Sequence, residues 1–126
     1  LKLSGKEHRE TLLAANNYAS SLINGLQRFK EAKALMRKTV PVARRILGES
    51  DEGTLKMRWT YAQTLYKDTG ASLDELREAV TTLEDVGRTA RRVLGAAHPT
   101  TARMEGALQN ARAALRAREA QSSGSA

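Results

Sequence analysis

The six residues Ala43-Arg44-Arg45-Ile46-Leu47-Gly48 recur 47 positions later as Ala90-Arg91-Arg92-Val93-Leu94-Gly95. Each phrase closes an apolar pattern of helical period with a glycine, the residue that most readily adopts the left-handed conformation ending a helix. Self-similarity at a spacing of about 20 to 50 residues is the mark of stacked helical units, none of which can bury its apolar face alone. A second correspondence precedes it. Gly5, Thr11, Leu12, Tyr18, Ala19 and Leu22 reappear 43 positions on as Gly48, Thr54, Leu55, Tyr61, Ala62 and Leu65. The register changes from 43 to 47 at Asp68-Thr69-Gly70-Ala71-Ser72, where four residues have been inserted. The chain therefore reads as all-α, with two long helical hairpins followed by a fifth helix.

The helical periodicity places these elements. Residues 1–6 are polar and read as a frayed end. Helix 1 is expected over 7–24, with Leu12, Ala15, Ala19, Leu22 and Leu26 as its buried stripe and Gly25 as its left-handed stop. Helix 2 covers 27–47 and buries Phe29, Ala32, Met36, Thr39 or Val40, Ala43 and Ile46. Pro41 lies inside it and predicts a kink at 38–41, because proline lacks a backbone donor and crowds the preceding turn. Gly87 marks the matching weak point of helix 4. Helix 3 is expected over 51–68. Helix 4 covers 73–94, opened by a Ser72–Glu75 capping box and buried through Leu76, Ala79, Leu83, Val86, Ala90 and Val93. Pro99 suits a first helical position and opens helix 5 at 99–120, with Met104, Leu108, Ala111 and Leu115 inward and Arg112, Arg116 and Arg118 on wet faces. Helix 5 thus caps the stack, the folded unit spans 7–120, and 121–126 read as a disordered Ser/Gly tail.

Charge adds information about partners. The net charge is +7, with ten basic and three acidic residues in 1–47, seven against nine in 48–94 and four against two beyond. The absence of cysteine excludes disulfides, thiolate metal sites and cysteine nucleophiles. No apolar run is long enough to span a bilayer, and a cytoplasmic setting is the default expectation. No Gly-rich phosphate loop, carboxylate–His cluster or nucleophile with a base is apparent, so the chain reads as a non-enzyme without cofactor or metal.

Leu94-Gly95-Ala96-Ala97-His98-Pro99-Thr100-Thr101, Asn16-Asn17-Tyr18-Ala19-Ser20-Ser21-Leu22 and the Leu-Gly helix ends resemble the long tetratricopeptide repeats of the kinesin light chain class. The resemblance covers about residues 3–116, as two complete repeats and one first helix. It implies a helical hairpin solenoid whose concave surface is lined by the first helix of each pair and receives an extended or helical peptide. On the stripe beside the buried one, helix 1 carries Leu13, Asn17, Ser20 and Asn24; helix 3 carries Lys56, Thr60, Gln63 and Lys67; helix 5 carries Arg103, Ala107, Asn110 and Ala114. None of the twelve is acidic, so the expected groove is polar and basic and suits an acidic segment of a partner protein. Asn17 matches a family asparagine of the kind that holds ligand main chain, a task suited to an amide that donates and accepts.

Other features have structural readings beside functional ones. His8 and His98 occupy equivalent linkers and read as linker packing ahead of a metal or acid–base pair. Trp59, Tyr61 and Tyr66 are too few for a base-stacking surface, and Trp59 and Tyr61 read as filling between hairpins. Arg37, Lys38, Arg44 and Arg45 form a basic face of helix 2, the alternative site for nucleic acid or anionic lipid, although cations at a helix C-terminus also complement its dipole. A further alternative is self-association through the open end of the solenoid. Arg58 and Glu105, on neighbouring first helices, are expected to meet.

Overall fold

The computed structural model describes residues 5–124. Expectations for residues 1–4 and 125–126 lie outside the described residues. Five helices follow in order, α1 (Gly5–Asn24), α2 (Phe29–Ile46), α3 (Glu52–Tyr66), α4 (Leu73–Leu94) and α5 (Pro99–Gly124), and no strand occurs among the described residues. The bounds of α4 coincide with those read from the sequence. α1 starts at Gly5, inside the expected frayed segment, and α5 runs on to Gly124, so 121–124 are helical where a tail was expected. Ala111, Ala113, Ala114, Ala117 and Ala120, among the best helix formers, precede that extension.

Each helix packs against the next, and α3 additionally lies against α1 and α5. The second helices α2 and α4 do not pack on one another. First helices thus approach closely while second helices splay, which makes the first-helix side the inner face of the stack. α3 touches all four other helices and buries residues around most of its circumference, including Thr54, Leu55, Met57, Arg58, Thr60, Ala62, Thr64 and Leu65. The core is continuous through it. Leu12, Ala19, Leu22, Ile23, Ala32, Met36 and Ala43 enclose Met57 from one side, while Ala62 and Leu65 join Ala79, Leu83, Ala107 and Ala111 on the other. Full burial of a Leu or Met side chain contributes about 1.5–3 kcal/mol. Trp59 and Tyr61 fill the seams between hairpins, Trp59 toward α4 and α5 and Tyr61 between the clusters on either side of α3.

The repeated phrase acts at the joints. Gly48 and Gly95 have φ of +97° and +96°, a conformation that L side chains rarely adopt. The Ala43 carbonyl accepts the Leu47 N–H at 2.8 Å, the Gly48 N–H at 3.3 Å and the Thr54 hydroxyl at 3.3 Å, which ties the end of α2 to the start of α3. The following helices start alike. Asp51 caps α3 by accepting the Gly53 N–H at 2.8 Å, and at the equivalent position 47 residues on His98 Nδ1 accepts the Thr100 N–H at 3.0 Å. His98 is thus a helix cap, and Asp51 replaces it because either side chain supplies an acceptor. The Ser72–Glu75 capping box is present in both directions, at 3.0 and 3.1 Å, and Glu75 also reaches Lys33 of α2 at 2.5 Å.

Several expectations are corrected. The left-handed residue of the α1–α2 turn is Gln27, with φ of 52°, and not Gly25. Because α1 ends at Asn24, Leu26 sits on that turn and is 59% exposed instead of completing the stripe, while Ile23 is buried. Ile46 and Val93, equivalent residues at helix ends, are also exposed. By contrast, α2 runs unbroken through Pro41, which agrees with a kink in place of a break there, and α4 runs unbroken through Gly87. Arg58 and Glu105 do not pair. Arg58, 9% exposed, turns to Asp85 of α4 at 2.7 Å, and Glu105 pairs with Arg91 at 2.7 Å. Arg118 does not face solvent freely, since it donates to the carbonyls of Thr69 and Ala71 and pins the end of α5 to the α3–α4 turn.

The far side of α5 differs in composition from the equivalent side of α3. Leu55, Trp59, Ala62 and Leu65, which receive α4, correspond 47 positions on to Ala102, Gly106, Gln109 and Arg112. Small and polar residues replace the apolar seat. The seam between α4 and α5 stays apolar, with Met104, Ala107 and Ala111 against Ala79, Leu83, Val86 and Ala90, and the ion pairs Arg112–Glu84 at 3.1 Å and Arg91–Glu105 at 2.7 Å flank it.

Gly106 is exposed within α5, and an added Cβ there meets nothing within 4 Å. Gly106→Ala should therefore raise the unfolding free energy by about 0.5–1 kcal/mol, measured by urea denaturation. At the α2–α3 joint, the Asp51 carboxyl is held below the ordinary Asp range, first by its hydrogen bond from Arg9 and then by the Gly53 N–H, against an opposing effect of burial. A depressed folded pKa stabilises fully above the unfolded value of about 3.9 and is lost as pH falls through the lowered one. Thermal unfolding followed from about pH 6 downward should show a steeper acid decline for the wild type than for Asp51→Asn, which keeps a capping oxygen but not the charge.

Candidate peptide-binding groove

The inner face is built by α1, α3 and α5, whose contacts with one another bury one flank of each helix and leave an adjoining stripe open. On α3 that stripe is Glu52, Lys56, Gln63 and Lys67; on α5 it includes Arg103, Asn110 and Ala114; on α1 it includes Ser20 and Asn24 together with Leu13, which is half-buried against the core. These positions include nine of the twelve read from the sequence as a groove stripe.

The other three form one equivalent set, Asn17, Thr60 and Ala107. Thr60 and Ala107 are each 4% exposed, folded into the contacts between successive first helices, and the Thr60 hydroxyl donates to the Lys56 carbonyl of its own helix at 3.1 Å. They do not line the groove. Asn17 is exposed only because no helix lies on that side of α1 among the described residues, and its carbonyl accepts the Ser21 hydroxyl at 3.2 Å. The neighbouring Asn16 is the asparagine turned inward. Its Oδ1 is buried without a hydrogen-bond partner, as is Nε1 of Trp59, the residue 43 positions later at the same place on α3. The sequence signal was the Asn-Asn pair itself, and helix phase decides which member turns inward.

Charge in the groove is more mixed than the twelve positions suggest. Lys56 pairs with Glu52 one turn earlier at 3.4 Å, and Glu52 also accepts the Thr100 hydroxyl of α5 at 3.1 Å. The Thr100 hydrogen bond and then nearby Lys56 hold the Glu52 carboxyl below its ordinary pKa, so it is charged at neutral pH. Arg9 and Asp51 form a two-point ion pair at 2.7 and 3.1 Å beside it. Lys67 and Arg103 are exposed and carry no hydrogen bond or ion pair among the described residues. Uncharged hydrogen-bonding groups, Gln63 and Asn110, lie between them on their helices. Asn110 is a polar neighbour of Tyr66, whose hydroxyl burial pushes above the ordinary tyrosine range.

The basic face of α2 is on the opposite, outer side. Arg44 pairs with Glu49 at 2.5 Å, and Arg37 lies beside the Tyr61 hydroxyl and Glu78. Lys38 and Arg45 are exposed without partners among the described residues. His8 and His98 do not join a cluster, since no group of three or more His, Asp or Glu converges among the described residues. No helix among the described residues is long and apolar enough to cross a membrane.

Residues 11–52, from the first turns of α1 through α2 to the start of α3, match the family model described as tetratricopeptide repeat. No curated protein and no solved structure matches the chain.

Proposed function

We propose that this tetratricopeptide repeat protein is a non-catalytic interaction module that receives an acidic, extended segment of a partner protein along its inner face. The observation that supports this reading is the pairing state of the groove cations. Lys67 and Arg103 carry no partner on the surface formed by the first helices, whereas most other charges near it are neutralised within the fold. Unpaired cations beside Gln63, Asn110, Ser20 and Asn24 suit carboxylates together with main-chain amides. The resemblance to kinesin light chain repeats and a cytoplasmic setting accord with such a role. Nucleic acid or anionic lipid on the α2 face is the competing reading.

Titrating a short peptide rich in Asp and Glu, with its Asn/Gln counterpart as control, while following Trp59 emission tests the groove. The acidic peptide should bind more tightly, and more weakly as salt is raised. Lys67→Glu combined with Arg103→Glu should reduce affinity about tenfold, from two exposed charge interactions of under about 1 kcal/mol each plus their reversal. Unchanged binding in that double variant would remove the groove from consideration. Salt-dependent RNA binding lost on neutralising Lys38 and Arg45 would favour the competing reading instead.

A further inference from the structure

The outer face holds a second feature that the groove does not use. Between α2 and α3 lies a notch of about 190 Å³ lined by Met36, Arg37, Val40, Pro41 and Tyr61. Met36 is buried at its floor, Val40 and Tyr61 are half-buried, and Arg37 and Pro41 stand exposed at its rim. Because α2 and α4 do not pack on one another, the notch opens outward. Polar bridges close the neighbourhood on the α4 side, Lys33 to Glu75 at 2.5 Å and the Tyr61 hydroxyl donating to Glu78 at 2.6 Å.

The second repeat supplies an internal comparison. Shifting the lining residues by 47 gives Leu83, Glu84, Gly87, Arg88 and Leu108, and a notch of about 290 Å³ lies at that place, lined in part by Glu84, Gly87, Arg88 and Leu108. There the walls are polar and tied across by Arg112–Glu84 and Arg91–Glu105. Only the first-repeat notch combines apolar walls of Val40 and Pro41 with an aromatic side. It also carries a backbone group of its own. Pro41 has no N–H, so the Arg37 carbonyl lacks its usual helical donor at the rim. Around Pro41 the exposed stripe of α2 is basic, with Lys30, Arg37, Lys38, Arg44 and Arg45, of which Lys30, Lys38 and Arg45 have no partner among the described residues.

We infer that this notch is a second docking site, on the outer face, for a peptide segment of a partner protein in which an aliphatic side chain is flanked by Asp or Glu. The aliphatic group fills the space over Met36 between Val40, Pro41 and Tyr61. A main-chain N–H of the segment supplies the donor that the Arg37 carbonyl lacks, and the flanking carboxylates meet Lys38 and the neighbouring cations. A phosphate backbone or a lipid headgroup would answer the charge but offers neither an aliphatic knob of this size nor an amide donor, so the combination selects a peptide.

The test is to pan a random peptide library on the full chain, synthesise the most enriched peptide, and measure its affinity by fluorescence anisotropy for wild type and three variants. The enriched sequences should share an aliphatic residue beside Asp or Glu. Val40→Lys should fill the notch and weaken binding about tenfold or more. Pro41→Ala restores a donor to the Arg37 carbonyl and removes one wall, so it should weaken binding severalfold while raising the unfolding temperature, a combination that damage to the fold does not produce. Lys67→Glu with Arg103→Glu should leave this peptide's affinity unchanged, which separates the site from the groove. The inference is overturned if no aliphatic–acidic motif is enriched, or if the recovered peptides ignore Val40→Lys and Pro41→Ala. It is equally overturned if single-stranded RNA or phosphatidylserine vesicles bind this face and Val40→Lys, by adding charge, tightens them.

Discussion

The Ala43 carbonyl joins the end of α2 to the start of α3, the joint on which the stacking of the two hairpins depends. It lies at the end of α2, takes two backbone N–H groups of the closing turn, and also accepts the buried hydroxyl of Thr54 from α3. A buried hydroxyl left unpaired costs about 1–3 kcal/mol, so the Thr54 contact favours the one geometry of α3 that keeps it within reach of this carbonyl. Gly48 permits that geometry because a side chain at its φ would be strained. At the second joint the Ala90 carbonyl accepts the Gly95 N–H at 3.2 Å, but the equivalent threonine, Thr101, is fully buried with its hydroxyl unpaired. The two joints share a backbone solution and differ in how tightly side chains secure it.

From that joint follows the central position of α3. Surrounded by the other four helices, it could not carry the ordinary division of one apolar stripe and one wet face. It buries Thr54, Thr60 and Thr64, whose hydroxyls donate to carbonyls, and Arg58, whose charge is met by Asp85. These groups tolerate burial because each has a partner. α5, which covers only one side, has the opposite design, with its outer side given to Ala, Gly, Gln and Arg. Small and polar residues there offer little apolar area, while the seam with α4 is apolar through Met104, Ala107 and Ala111 and is flanked by inter-helix ion pairs.

The same asymmetry separates two faces. Close packing of α1, α3 and α5 makes the inner surface a shallow polar stripe on which Lys67 and Arg103 retain unsatisfied charge. Splaying of α2 and α4 leaves the outer surface with a gap, and Tyr61 of α3 and Pro41 of α2 turn that gap into an apolar notch within a basic helix face. A repeat protein of modest size thus presents two chemically different surfaces without any element devoted to either.

The spacing of the Ala-Arg-Arg-x-Leu-Gly phrase and the three-and-four periodicity by themselves determined the all-α class, five helices, the capping box at Ser72 and the glycine stops at Gly48 and Gly95. They could do so because helix formation and capping depend on neighbours a few residues away. The partial or full exposure of most of the stripe proposed as a groove was legible for the same reason, since it lies at a constant angle from the buried stripe. Tertiary structure decided what depends on the adjacent hairpin: that Thr60 and Ala107 are enclosed while Lys56 stays open, that Asn16 and not Asn17 turns inward, that Arg58 meets Asp85 and Glu105 meets Arg91. Those outcomes rest on the angle between helices distant in sequence, and a rotation of a fraction of a turn exchanges one partner for another without changing the periodic pattern.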